Sequence, residues 1–375
     1  MPSIAIIGAG LIGKLLAWQL SRSGMEVSVF ERSSEDKPES AAWTAAAMVA
    51  PVAEKPLCHP EVFELGMESL TLWPVLLEEL YQDVGIRVPY RRRGTLVVAH
   101  PSDQAEMDLF KRDMAAPQLP GNSYAVALHD AGLRQKEPAL SDEFKQGFWL
   151  PDEAQVDNRT LLSALQLAAV SHGAAFYYDC NITRTDGGYS LDVARRENSE
   201  LQQADIVIDC RGAGARKDAD RVIRGVRGET LWVSSPGTEF HRPVRLLHPR
   251  YHLYMVPRGN DCYQLGATEL ESDDCSPVSV RSAMEMLSAF WVLSPGFSEA
   301  RILSMETNLR PATQDHRPCV TLSSHPNEPK TLFVNGLFRH GFLVAPALLK
   351  KIENLLAGEG WMKSVFKLSE QGEGA

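Results

Sequence analysis

The chain has 375 residues, 44% hydrophobic and 23% charged, an ordinary globular balance that is long enough for two domains or one large interleaved unit. A formal net charge of −10 and a pI of about 5.5 argue against nucleic acid or an anionic membrane as the main partner. No stretch reaches the length of a transmembrane helix, no basic segment precedes the first apolar run, and the six cysteines and ten histidines form no metal-ligand spacing. The expectation is a cytoplasmic protein with reduced thiols and no metal.

Ser3 to Ile7 is a short β-branched run and predicts a buried parallel strand. Gly8, Gly10 and Gly13 follow with G-x-G-x-x-G spacing. Gly8 allows a tight turn, Gly10 lets backbone approach a pyrophosphate, and Gly13 lets the next helix lie close to the sheet. Ile12, Leu15, Leu16 and Leu20 then form one apolar stripe, and Gly24 ends the helix. Val27 to Glu31 predicts the next strand, with Glu31 placed to accept both hydroxyls of an adenosine ribose. Its charge would face a 2′-phosphate, which disfavours NADP. This unit alone leaves NAD and FAD open.

The run from Ala41 to Pro51 is rich in small residues, which lets backbone approach a flat ligand; the plainer reading is a short alanine-rich helix. Helices are predicted over 61–84, 104–114, 130–140 and 159–172, and strands over 90–99, 147–150, 174–178, 189–193 and 202–209. The segment around Pro117 to Asn122 reads as a loop, and Arg91 to Arg93 as a solvated edge or a local carboxylate partner. Cys210 to Gly214 is a second glycine turn after a buried strand, so the dinucleotide unit resumes there. From Gly225 the pattern changes to alternating strands over 228–233, 251–257 and 262–267. A helix over 280–293, a returning segment over 304–312, a strand over 331–335, a turn over 336–341 and a closing helix over 345–356 complete the chain. The polar tail from Ser369 reads as frayed.

These residues resemble the FAD-dependent amine oxidases of the D-amino acid oxidase group, most nearly the glycine oxidase type of thiamine biosynthesis. The likeness rests on Gly8, Gly10, Gly13 and Glu31, on Ala42 to Met48, on Val226 to Glu229, and on Tyr254 to Arg258 followed by Gly266 to Thr268. It continues through Leu309 to Pro318 and Gly336 to Gly341, in the family's order. The resemblance implies an α/β fold. A Rossmann-type FAD-binding domain with a parallel sheet (1–85, 150–224 and 318–375) would be interleaved with an antiparallel-sheet α+β substrate domain (86–149 and 225–317). It also implies FAD as cofactor. Cys319 lies near the region that carries covalent flavin in sarcosine-oxidase relatives, but follows Asp315 and Pro318 instead of preceding them, so non-covalent FAD is expected.

By the same resemblance Arg310 would pair with the substrate carboxylate, Tyr254 would be the active-site tyrosine, and Arg339 would stand near flavin and substrate. Cofactor contacts are implied for Gly8, Gly10, Gly13, Glu31 and Arg32, and for Trp43, Thr44, Ala46, Ala47 and Met48. Val156, Gly212, Gly214, Arg339, His340, Gly341, Phe342 and Leu343 complete that set. A guanidinium fork suits the task, because two parallel hydrogen bonds fix a carboxylate and therefore its α-carbon. The plainer readings are an ion pair of Arg310 with an acid such as Asp315 and a core role for Tyr254; for His340 and His252 the plainer, structural reading is favoured. The leading expectation is oxidation of a small amine or amino acid to its imine. A flavoprotein that modifies a side chain of a partner protein, as in the maturation of quinone-cofactor amine oxidases, and a flavin-binding scaffold without turnover are the alternatives.

Overall fold

The computed structural model describes residues 2–114, 124–185, 188–192, 204–218, 223–249, 252–324 and 329–358. The predicted loop around Pro117–Asn122, the tail from Ser369 and the His252 side chain lie outside the described residues.

Ser3–Ile7 is a strand buried from Ile4 onward, as its β-branched run predicts. It pairs in parallel with Glu26–Phe30 on one side and Ile206–Asp209 on the other. Lys330–Asn335 and Ala175–Tyr177 extend the parallel set outward, and Cys319–Ser323 adds one antiparallel edge. Four distant stretches of chain therefore meet in one six-stranded sheet. Helices Leu11–Arg22, Pro60–Val84, Asn158–Ser171 and Gly341–Gly358 share its largest core, with Trp18 and Trp73 completely buried.

The last helix starts at Gly341, four residues before the expected start at Ala345. Pro346 inside a helix argues for a later start, since proline cannot donate to the carbonyl four residues back. That orphaned carbonyl belongs to Phe342, and it accepts from Trp73 Nε1 at 2.9 Å instead. A tryptophan on another helix thus makes the extra turn possible.

The second sheet has eight strands, in the order Arg301–Ala312, Arg224–Ser234, Cys262–Gly266, His252–Gly259, Val244–Leu247, Thr95–Ala99, Gln146–Leu150, Val126–His129. It is antiparallel except where Val244–Leu247 runs parallel to Thr95–Ala99. Two expected strands are longer than the alternation suggests, and the returning segment is a twelve-residue strand. A small sheet of Met48–Val49, Ala154–Val156 and Tyr90–Arg91 joins the two large ones. Arg258 fastens it: the buried guanidinium donates to the carbonyls of Val156 (3.1 Å) and Ala46 (2.8 Å) and to Gln264 Oε1. The small-residue run, predicted as one unit, is split into a short helix Ala41–Thr44, the strand Met48–Val49 and a second short helix Pro51–Glu54.

Candidate active site

A cavity of about 660 Å³ runs from the glycine turn to the face of the eight-stranded sheet. At its first end the three glycines do different work. A Cβ on Gly13 would stand 1.9 Å from the Gly8 carbonyl oxygen, and one on Gly8 (φ +101°) would stand 2.6 Å from the Cys210 carbonyl oxygen. Both are closed by backbone. A Cβ on Gly10 would meet nothing nearer than Ser40 Cβ at 3.9 Å, so this glycine faces open space. Gly10 caps helix Leu11–Arg22 without any side-chain cap, and no acid lies in the first turn. Free N–H groups and the positive helix end therefore open onto the cavity, the donor set a pyrophosphate needs.

Glu31 also lines the cavity, but its carboxylate is partly engaged. Oε2 accepts from the Ala9 N–H at 2.7 Å, and Oε1 from the N–H and hydroxyl of Ser33, both at 3.0 Å. With about four acceptor positions on a carboxylate, capacity remains for one ribose hydroxyl while these bonds persist, against the expected two.

Gly212 and Gly214 line the cavity beside Arg211, which is locked between Asp209 and Asp218. Arg32, Thr44, Ala46, Ala47, Met48 and Gly341 to Leu343 line it as well. Asn158, a residue without a role in the sequence reading, holds the carbonyls of Ala42 and Trp43 at 2.9 and 2.7 Å and so shapes this stretch. Three expected contacts do not line this cavity. Gly13 acts through the close approach of helix and strand and not at the wall. The Trp43 side chain turns away to stack near Arg159, 5.0 Å from the ring centre. Val156 is completely buried in the small sheet, with its N–H on the Ala47 carbonyl and its own carbonyl on Arg258. Cys319 does not line the cavity; Cys180 and Cys210 do, and burial raises the pKa of both thiols.

The far end of the cavity gathers charges. Arg310 projects from the edge strand Arg301–Ala312 and lies over Gly228 of the neighbouring strand, where a Cβ would come within 2.6 Å of its guanidinium. Its Nη1 donates to the carbonyls of Thr268 (2.9 Å) and Arg227 (3.4 Å). Among the described residues no carboxylate lies within ion-pair distance of it, and Asp315 pairs with Arg317 instead. Burial pulls its pKa down to about 10, with Glu269 opposing that effect and Arg339 adding to it.

Arg339 is differently placed. Its guanidinium bridges two acids, Glu54 Oε2 at 2.8 Å and Glu269 Oε2 at 2.9 Å. Tyr254 is buried and donates its hydroxyl to Glu54 Oε1 at 3.0 Å. His340 Nε2 lies 3.5 Å from Glu54 Oε2, and burial first of all lowers the pKa of this imidazole.

Glu54 is thus the hub of the site, and the sequence reading passed over it. Burial alone would raise its pKa. Arg339, then the His340 hydrogen bond and Arg245, outweigh burial and hold it well below the usual carboxylate range. The short helix Pro51–Glu54 that carries it is clamped through Ala53. The Ala53 N–H donates to Glu153 Oε1 at 2.7 Å, and the Ala53 carbonyl accepts from the buried Arg245. A signal existed: Ala41 to Ala53 is without charge, and Glu54 ends that run. Arg245, in the apolar run Val244 to Leu247, was equally visible.

Residues 3–352 match the family model described as FAD dependent oxidoreductase. The chain belongs to this family. It is 36% identical over 356 residues, 95% of this chain and 97% of the other, to a Rhizobium etli protein named as a thiamine biosynthesis oxidoreductase, ThiO. It is 27% identical to the glycine oxidase of Geobacillus kaustophilus, over 92% of this chain and 89% of the relative. The crystal structure of that enzyme superposes with a TM-score of 0.77, covering 98% of this chain and 97% of its own at 25% identity. The glycine oxidase of Bacillus cereus gives 0.79, covering 96% and 98% at 23% identity, a likeness of fold. The protein is accordingly an FAD-dependent oxidoreductase with an α/β fold of mixed sheets. The open Gly10, the uncapped helix start and Glu31 suit a dinucleotide, and Gly341 begins a second helix, without acids in its first turn, at the same wall. Among the described residues no helix is long and apolar enough to cross a membrane.

Proposed function

We propose that the enzyme oxidises a small amino acid, with glycine as the first choice, to the corresponding imine, which water then hydrolyses. The observation that carries this reading is Arg310, a half-buried guanidinium on the cavity wall with carbonyl partners but, among the described residues, no acid within ion-pair distance. A cation partly withdrawn from water without a counter-ion is unfavourable, and a substrate carboxylate supplies what is missing. The planar fork fixes that carboxylate in two hydrogen bonds and so presents the α-carbon in one orientation. Bound FAD supplies the acceptor for the hydride that leaves this carbon.

The names of the relatives point the same way, glycine oxidase and thiamine biosynthesis oxidoreductase. In this reading Arg339 is a structural cation: Glu54 and Glu269 neutralise it, and it keeps Tyr254 and His340 in register through Glu54. Glu31 and the Gly8–Leu11 turn face the adenosine and pyrophosphate, and Ala46 to Met48 with Gly341 to Leu343 face the flavin. Segments 1–85, 150–224 and 318–375 hold the cofactor, and 86–149 with 225–317 hold the substrate. FAD is held without a covalent bond: Cys319, the cysteine nearest in sequence to the attachment region of covalent relatives, does not line the cavity. A residue inside a partner polypeptide has no free α-carboxylate to offer Arg310, which weighs against the maturation alternative. Cys58, Cys180, Cys210, Cys262 and Cys275 form no disulfide, which agrees with work in the cytoplasm.

Anaerobic mixing of the holoenzyme with glycine, sarcosine, D-alanine and D-proline tests the reading. Bleaching of the flavin absorbance by at least one of them is the expected result. Flavin that stays oxidised with every one overturns it.

A further inference from the structure

Glu269 is the acid at the substrate end whose carboxylate is half used. Oε2 accepts from Arg339 at 2.9 Å, while Oε1 has no hydrogen bond among the described residues. Its side chain is 32% exposed, onto the cavity that it lines. The other acid at this end, Glu54, is closed: Tyr254 occupies one oxygen, and Arg339 and His340 flank the other. Glu269 is also tied to the carboxylate anchor by the chain itself. It follows Thr268, whose carbonyl receives Arg310 Nη1 at 2.9 Å. Glu269 opposes the depression of the Arg310 pKa, so the two charges sense each other, yet they do not pair within 4 Å. The site therefore offers a free cation and a half-free anion side by side on one wall. Arg310 and Arg339 against Glu54 and Glu269 leave this end formally neutral, so a ligand with a net charge would unbalance it, whereas a zwitterion would not.

We infer that Glu269 is the specificity residue for the substrate amine: its Oε1 accepts an N–H of the amino group while Arg310 holds the carboxylate. The consequence is discrimination by chemical class. Small amino acids are selected, and carboxylic or 2-hydroxy acids of the same size are rejected: the negative charge of Glu269 repels their carboxylate, a plain carboxylic acid donates nothing to Oε1, and a 2-hydroxy acid donates only a neutral O–H without the charge of the amine.

This rests on the Arg310 reading, and the test separates the two. Acetate has the carboxylate without the amine. In the holoenzyme, Glu269→Gln should raise the KM for glycine about ten-fold or more, as for a lost charge-assisted hydrogen bond. The same variant should leave the inhibition constant of acetate unchanged or lower it, since an acid near the carboxylate has gone. Opposite or divergent movement is the signature. If glycine and acetate weaken together, Glu269 serves only to hold Arg339, and the inference is overturned; if neither changes, it is overturned as well. If wild-type enzyme binds neither ligand, the Arg310 reading itself falls and takes the inference with it. Should the variant lose FAD, wild type decides. Glycolate, with hydroxyl in place of amine, should bind about ten-fold or more weakly than glycine, and equal binding would overturn the assignment.

Discussion

The guanidinium of Arg310 fills the volume that any side chain at position 228 would need. A Cβ on Gly228 would stand 2.6 Å from its Cζ, Nη1 and Nη2. Arg310 sits opposite Val226 in the register, so Gly228 is the diagonal neighbour on the same face of the sheet. Gly228→Ala should push the fork away from the Thr268 carbonyl and misplace the carboxylate it holds. An error of that size costs about 100-fold in turnover. Steady-state kinetics with glycine should show the loss in kcat/KM, while the flavin spectrum stays that of wild type. An active Gly228→Ala enzyme would mean that the fork is not placed by this contact.

Glu153 gives a pH-dependent prediction. It is completely buried, and desolvation above all raises its pKa from 4.5 to about 7, against hydrogen bonds from Thr95 and Ala53. The folded state therefore holds a proton that the unfolded state releases. Stability from this group is complete below pH 4.5 and is lost as pH rises from there to about 7; above that it no longer changes. Glu153→Gln keeps an acceptor for Ala53 but cannot ionise. Its stability relative to wild type should rise across that window by up to about 3 kcal/mol. Urea unfolding at about pH 5 and pH 8 measures the difference; a variant whose offset from wild type is the same at both would contradict it.

The N-terminal unit was legible because its causes are local. A β-branched strand, glycines at fixed spacing and an acid at the end of the next strand are neighbours in sequence as well as in space. Helices 104–114 and 280–293 end where their periodicity ends for the same reason. What escaped depends on distant partners. Arg245 looks like an outward residue in a strand, yet it is buried because the Ala53 carbonyl receives it. The strand Val126–His129 is largely exposed, so it carries no alternation, and only its pairing with Gln146–Leu150 defines it. Glu54 is stable as a buried anion only with Tyr254, 200 positions away, and Arg339 beside it. The sequence pointed to Arg339 as a site residue but carried no sign that two acids neutralise it.

Cofactor retention should separate the two kinds of glycine-turn residue. Gly13→Ala places a Cβ against the Gly8 carbonyl oxygen, where backbone cannot yield. The helix must lift from the strand, and the purified protein should lack FAD and melt at a lower temperature. Glu31→Ala leaves the backbone path intact but releases the Ala9 N–H and Ser33. FAD affinity should fall by about 1–3 kcal/mol, the range for a lost hydrogen bond to a charged group. The ratio of flavin to protein absorbance after dialysis reads both. A fully loaded Gly13→Ala protein would refute the packing argument.

Arg310 decides the function. If a free carboxylate is its partner, Arg310→Ala removes one member of a desolvated ion pair and should cost about 2–5 kcal/mol in transition-state stabilisation. Arg310→Lys keeps the charge but loses the planar fork, of which Nη1 alone reaches the Thr268 and Arg227 carbonyls. It should be impaired as well, because an ammonium fixes position without fixing orientation. FAD content should stay near wild type in both, since the pyrophosphate end of the cavity lies at Gly8 to Leu11 and does not involve this strand. The loss should also depend on the substrate. An amine without a carboxylate, such as methylamine, gains nothing from Arg310, so its slow anaerobic reduction of the flavin should be nearly the same in wild type and Arg310→Ala. Glycine should fall to that level in the variant. If instead both substrates lose rate by the same factor, Arg310 supports the architecture of the sheet and not the carboxylate, and the proposed substrate class has to be abandoned.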